Sequence, residues 1–111
     1  MYRRLPESTA DQQFEVNVQA SNVAQSCRDV LQAVGHIKSM SRESGIILGE
    51  ISNGIFTSTV VTIKISKISD SRTQINVNMV RHGRGIQDNM AKFTDRLFTH
   101  PNLVGKTTSI W

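Results

Sequence analysis

The sequence predicts an α+β domain in which a curved, antiparallel-rich sheet of four strands carries two helices on one face. Two stretches, 23–34 and 86–97, place apolar residues at helical spacing. Four other stretches alternate apolar and polar residues, as strands with one buried face do. The order β-α-β-β-β-α with one-sided alternation favours helices on one face and water on the other.

The length of 111 residues fits one domain. Residues 1–12 are polar and contain Pro6, so we expect a flexible leader there. The α+β domain is expected over residues 13–100, because Pro101 prevents much continuation of the second helix. Residues 101–111 show no clear period and form a tail whose end either docks on the domain or stays loose.

The first strand and the first helix are predicted from residues 14–35. Apolar residues stand at every second position of the strand: Phe14, Val16, Val18 and Ala20. Ser21 and Asn22 supply N-cap chemistry for the helix that follows. Its apolar stripe is Val23, Cys27, Val30, Leu31 and Val34. Gly35 stands where a left-handed C-cap residue would end the helix.

The remaining strands lie between residues 36 and 79. Strand two begins at 36–40, and the turn or bulge at 41–45 lets the extended chain continue to Ile51. Asn53-Gly54 is a strong signal for a two-residue hairpin turn. The inward residues of the third strand are Val61, Ile63 and Ile65, and those of the fourth are Thr73, Ile75, Val77 and Met79.

Charge and composition exclude several classes of site. The net charge is +4, but the Lys and Arg residues are scattered instead of clustered, which disfavours a nucleic-acid groove. The single cysteine, Cys27, permits neither an intrachain disulfide nor a cysteine-based zinc site. No stretch is long and apolar enough for a membrane span. We expect no enzyme activity, no cofactor and no bound metal.

The middle of the chain resembles small bacterial envelope domains, usually found in lipoproteins, of the helix-grip type represented by BamC. The resemblance covers roughly residues 14–100 and is carried by 31–35, 41–47, 61–65, 72–77 and 93–97. It implies a helix-grip-like fold, a binding or scaffolding role and a periplasmic or outer-membrane-associated location, with a cytoplasmic one as the alternative. The chain lacks a lipobox cysteine, so we expect contact with a membrane only through a lipid anchor that is not visible in this sequence.

Polar residues that could carry chemistry are few. His36, His82 and His100 lie in separate loops or element ends, and Cys27 falls on an apolar stripe, where a small buried residue is expected. Between strand and helix, Arg81, His82 and Arg84 alternate with two glycines. This segment is either an anion-binding loop at a helix start or a solvated connection whose glycines permit a sharp turn.

The outer face of the sheet is the sharper hypothesis. A two-residue turn at Asn53-Gly54 would place Ile51 opposite Phe56 and Ile47 opposite Val60. With Val61 facing the core, these four residues (Ile47, Ile51, Phe56 and Val60) would form an apolar patch away from the helices. A bulge near Ser58 would instead turn part of the set inward.

The leading functional hypothesis is a non-catalytic protein-interaction or scaffolding module of the bacterial envelope. It would bind another envelope protein, or a second copy, through the sheet face or a strand edge. One alternative is a carrier of a small hydrophobic ligand, in a cavity between the second helix and the sheet, lined by Ile86, Met90, Phe93 and Leu97. Another is weak binding of nucleic acid or anions, without specific nucleic-acid recognition, since aromatic stacking residues are scarce.

Overall fold

One antiparallel sheet with both helices on the same face organises the molecule. A computed structural model describes residues 7–52 and 58–110, with only the backbone described for 107–110. The elements, in chain order, are β1 (Glu7–Val16), α1 (Ala20–Val34), β2 (His36–Ser41), β3 (Ile46–Ser52), β4 (Ser58–Ser69), β5 (Arg72–His82), α2 (Ile86–Thr99) and β6 (Thr107–Ile110). The strands lie in the order β2-β3-β4-β5-β1-β6. The predicted α+β class is therefore confirmed.

The described part of the chain has six strands where four were predicted. At 41–45 the chain reverses into a β2–β3 hairpin instead of continuing through a bulge, so Ser41 pairs with Ile46. At the other edge, β6 pairs with β1, so part of the predicted tail belongs to the sheet. Leu103, just before β6, is also fully buried.

The dry interior lies between the helices and one face of the sheet. Val61 and Ile63 of β4 and Ile75, Val77 and Met79 of β5 are at most 1% exposed, as the alternation predicts. Both helical stripes join the same core, including Val23, Cys27 and Leu31 of α1 and Met90, Phe93 and Leu97 of α2. Two helices and one sheet face thus share a single hydrophobic core.

The first strand begins earlier than predicted. Residues 7–12 are not a flexible leader, because β1 starts at Glu7 and pairs with β5 along its whole length. Its outward side chains, such as Thr9 and Asp11, are exposed, and Ala10 is the only apolar residue that turns inward before Phe14. A strand with so few apolar residues gives almost no alternation signal.

The start of α1 differs from the prediction. The helix begins at Ala20, Gln19 is the N-cap residue, and no side chain caps the helix. Ser21 and Asn22 are therefore inside the first turn. Gly35 does end α1, through its N–H bond to the Leu31 carbonyl oxygen, but its φ of −162° is extended instead of left-handed.

Two glycines let α1 and the chain leaving it lie directly against β3. A Cβ atom on Gly35 would stand 2.1 Å from the carbonyl oxygen of Glu50, and one on Gly49 would stand 2.4 Å from Cδ2 of Leu31. Real side-chain carbons do not approach other atoms so closely. The absence of a side chain at these positions, and not left-handed geometry, is what the fold requires there.

Gly45 closes the β2–β3 turn against the neighbouring strand β4. Its N–H donates to the Ser41 carbonyl oxygen (2.9 Å), and its own carbonyl accepts from the N–H of Ile65 (2.8 Å). Its φ is +69°, and a Cβ atom there would lie 2.3 Å from the Ile65 carbonyl oxygen. Gly105 also has a positive φ (+73°) but has open space around it.

Replacing Gly45 by Ala should cost much more stability than the matched change Gly105→Ala. Both variants strain a left-handed backbone, at about 1 kcal/mol. Only Gly45→Ala also drives a Cβ into the backbone of β4, for a total of about 3 kcal/mol or more. Urea unfolding of both variants measures the difference in stability. Equal unfolding midpoints would show that the turn does not pack against β4.

Candidate functional site

Two of the four residues predicted to form the apolar patch on the outer face of the sheet are instead buried. Ile47 and Ile51 are 3% exposed and belong to the core. The ladder pairs Ile47 with Ile63 and Ser52 with Ser58, so the β3–β4 connection is five residues long, not two. This three-residue offset reverses which side chains share a face. Phe56 and the Asn53-Gly54 turn lie outside the described residues.

A smaller set of apolar side chains does face outward. Val60 is 46% exposed and Leu48 is 38% exposed. The register places Val60 between Glu50 and Val80, with Leu48 at the diagonal position on β3. Of the four residues in the predicted patch, Val60 alone is described as exposed on this face.

One charged pair lies beside these apolar residues, and another lies further along the sheet. Lys38 Nζ lies 2.9 Å from Glu50 Oε2 on the outer face. The hydrogen bond from Lys38 is the main reason that the pKa of Glu50 is lowered. Arg72 pairs with Glu15 further along the same sheet. The face is thus mostly polar, with a few exposed aliphatic side chains.

The candidate anion-binding residues do not converge. Arg81 lies on the helix side of the sheet, where its Nε donates to the Arg84 carbonyl (2.5 Å) and its Nη1 to Thr59 Oγ1 (3.4 Å). His82 points to the opposite face, with Nε2 3.8 Å from a Glu7 carboxylate oxygen. Arg84 is exposed beside an open pocket at the start of α2, whose lining also includes Asp88. The segment therefore closes a loop instead of gathering positive charge.

A groove between α1 and the β2–β3 hairpin is more enclosed than the pocket at the start of α2. We call it the α1–hairpin groove; its volume is about 580 Å³. It is lined by Ala20, Ser21, Ala24 and Arg28 of α1, by residues 40–47 of the hairpin, and by Ile65 and Lys67 of β4. This volume is within the range of small-molecule sites.

Small residues create the groove. Ala20, Ala24 and Arg28 are four apart, so they form one face of α1 beside the core stripe. The two alanines end at Cβ and leave space above the sheet, where Ile47 and Ile65 form the floor. Gly45 holds the hairpin turn against β4 and so supplies the end wall. The floor is apolar, and the polar groups stand at the rim.

The site expected for a hydrophobic carrier, under α2, is filled by side chains. Ile86, Met90, Phe93 and Leu97 are at most 7% exposed and are packed in the core. The edge of the Phe14 ring meets Phe98 with a centroid separation of 4.6 Å. The groove described above is bounded by α1 instead, at a place that the sequence did not suggest.

Ser26, His100 and Asp29 form a cluster that resembles a catalytic triad in composition. The distance from Ser26 Oγ to His100 Nδ1 is 3.2 Å, and that from His100 Nε2 to Asp29 Oδ2 is 3.1 Å. Ser26 and Asp29 are three residues apart on α1, but His100 is more than 70 residues away. Sequence spacing gave no signal for this cluster.

The cluster joins α1 to the segment that follows α2. Ser26 is fully buried, and its hydroxyl donates to the Asn22 carbonyl at 2.9 Å, so no substrate reaches Oγ. The N–H of Asn102 donates to His100 Nδ1 at 3.2 Å, which places the ring proton on Nε2, facing Asp29. His100 therefore ties α1 to the segment after α2, and it lacks the geometry of a general base acting on Ser26.

The other described side chains that could take part in catalysis or metal binding do not come together in a site. Burial raises the pKa of the Cys27 thiol from 9.0 to about 12, which leaves it neutral and inert at physiological pH. Residues 7–52 and 58–110 contain no cluster of His, Cys, Asp or Glu suited to a metal ion, so His36, His82 and His100 do not converge on one. No helix of the described chain has the length and apolar character to cross a membrane.

Comparison with known proteins shows only distant structural likeness. No family model and no curated protein matches the chain. A conserved protein from Geobacillus kaustophilus is 10% identical, with a TM-score of 0.43, over 81% of this chain and 92% of its own. The ZhuI aromatase/cyclase from Streptomyces sp. R1128 is 9% identical, with a TM-score of 0.39, over 84% of this chain and 85% of its own. The likeness to BamC-type envelope domains stays a prediction.

Substitution of His100 by Ala should destabilise the protein by about 2 kcal/mol, because it removes the bonds to Asp29 and the Asn102 backbone and the packing of the ring against Ser26. Ser26→Ala should cost less, since the Asn102 and Asp29 bonds remain. Urea unfolding of both variants gives the two values. Ester hydrolysis that disappears in Ser26→Ala would contradict a purely structural role.

Stability should fall between pH about 9 and about 12 because of Cys27. In the unfolded chain the thiol ionises above its ordinary pKa of 9.0, whereas in the folded chain it stays neutral up to about 12. Ionisation thus favours the unfolded state throughout this window. By pH about 10 the loss should reach about 1 kcal/mol relative to Cys27→Ala, which lacks the thiol. If urea unfolding gave the same pH dependence of stability for the two proteins, ionisation of Cys27 would not be the cause of the loss.

Proposed function

We propose that this protein is a non-catalytic binding module that holds a small ligand with an apolar portion in the α1–hairpin groove. The observation that carries the proposal is a concave site of about 580 Å³ with an apolar floor. Ligand sites are typically concave and mostly apolar, with a few polar groups that orient the ligand. Ile47 and Ile65 would contact the apolar portion, and the rim would orient the rest.

The non-catalytic part of the proposal is supported by the surroundings of the reactive groups. Ser26 and Cys27 are fully buried on α1 and do not line the groove. The side chains that do line it include one carboxylate, that of Glu43, and no histidine or cysteine. The hydroxyls of Ser21, Ser41 and Ser44 also line the groove, but no histidine among the lining residues could activate one of them as a nucleophile.

A second candidate is protein docking through the outer sheet face. It retains the hypothesis made from the sequence, with Leu48 and Val60 as its apolar contacts instead of Ile47 and Ile51. The exposure of these two neighbouring side chains favours it. Lys38 and Glu50 on this face are already paired with each other, so they offer a partner fewer new contacts, whereas the exposed Lys64 has no ion pair among the described residues.

Binding of 1-octanol should shift the NMR amide signals of Ala24, Ile47 and Ile65, and Ala24→Phe should abolish the effect by filling the groove. Ala33→Phe is the matched control, because Ala33 is exposed on the same helix and does not line the groove. Binding that survives Ala24→Phe, or shifts confined to Leu48 and Val60, would contradict the proposal and favour the outer face.

A further inference from the structure

The rim of the α1–hairpin groove carries charge of predominantly one sign. Its lining residues include three cations, Arg28, Arg42 and Lys67, against one carboxylate, Glu43. We propose that the ligand bears an anionic group, of the carboxylate class, which Arg28 binds while the hydrocarbon portion lies on the apolar floor. The inference rests on the proposed function and adds the chemical class of the ligand.

Arg28 is the residue that points most strongly to an anion. It is half-buried on the groove face of α1, one turn beyond Ala24. Among the described residues its guanidinium makes no side-chain hydrogen bond and no ion pair. Its five N–H donors therefore have no acceptor among the described side chains, and the planar fork matches a carboxylate in a two-point contact.

The other charged residues around the groove also favour an anionic ligand. Arg42 stands in the hairpin turn and is likewise unpaired among the described side chains. Lys67 contacts Asp70, but both side chains are well exposed, at 62% and 99%, so this pair is weak and easily opened. The first turn of α1, which forms one wall, contains no acidic residue. An anion in the groove thus meets little repulsion.

The shape of the site favours a single small amphiphile over a polyanion or a membrane. Nucleic acids and anionic bilayers are bound by extended positive surfaces, whereas these cations surround one concave site with an apolar floor. A carboxylate on a short hydrocarbon chain satisfies both features at once. The polar end would lie at Arg28 and the chain over Ile47 and Ile65.

Calorimetric titration with three ligands of equal chain length separates the charge from the hydrocarbon. Octanoate should bind more tightly than 1-octanol, and octyltrimethylammonium should bind most weakly. Arg28→Gln should weaken octanoate binding about ten-fold or more while leaving 1-octanol unchanged. Arg96→Gln, at an exposed arginine of α2 away from the groove, should bind octanoate as the parent protein does.

The outcomes distinguish this inference from the proposed function. Equal affinity for octanoate and 1-octanol, or an unaltered octanoate affinity in Arg28→Gln, overturns the anion assignment and leaves the groove as an apolar site. Failure of both ligands to bind overturns the groove itself. Sedimentation with phosphatidylglycerol vesicles, without octanoate binding, would assign the cations to a membrane surface instead. Arg28→Lys, which keeps the charge, should retain more octanoate affinity than Arg28→Gln.

Discussion

Burial of every second residue of β4 and β5 is the constraint on which the rest of the structure depends. Because Val61, Ile63, Ile75 and Val77 face the helices, the orientation of β3 follows from its pairing with β4. The observed register turns Ile47 and Ile51 inward and Leu48 outward. A slip of one residue would exchange the two faces. The groove floor and the mostly polar outer face therefore have the same origin.

The elements that were predicted well have a strong local signal. Both helical stripes, the inward rows of β4 and β5, and the termination of α1 at Gly35 follow from period and composition. The predicted N-cap of α1 was wrong. Ser21 and Asn22 have side chains that can cap a helix, but in the folded protein they lie inside the first turn. The prediction of a flexible leader was wrong for residues 7–12, because β1 is held by ten pairs to β5 despite its polar composition. Backbone pairing between strands has little effect on the order of apolar and polar residues, so the sequence does not indicate it.

The candidate site was harder to predict, since it depends on spaces and registers. Asn53-Gly54 favoured a two-residue turn, but five residues separate the paired ends of β3 and β4, and this reversed the assignment of Ile47 and Ile51. The groove arises where the small side chains of Ala20 and Ala24 leave space above Ile65. The spacing of residues along a helix does not show whether such a space is filled by another side chain or stays open. The Arg28 side chain becomes notable in the structure, where it lines the groove and has no partner among the described side chains.

The most direct measurement of the central claim is a set of intermolecular NOEs between a bound octyl chain and the protein's methyl groups. If the ligand occupies the α1–hairpin groove, contacts will appear to the methyl groups of Ile47, Ile65 and Met40. Contacts to Leu48 and Val60 instead would place the binding surface on the outer face of the sheet and contradict the account.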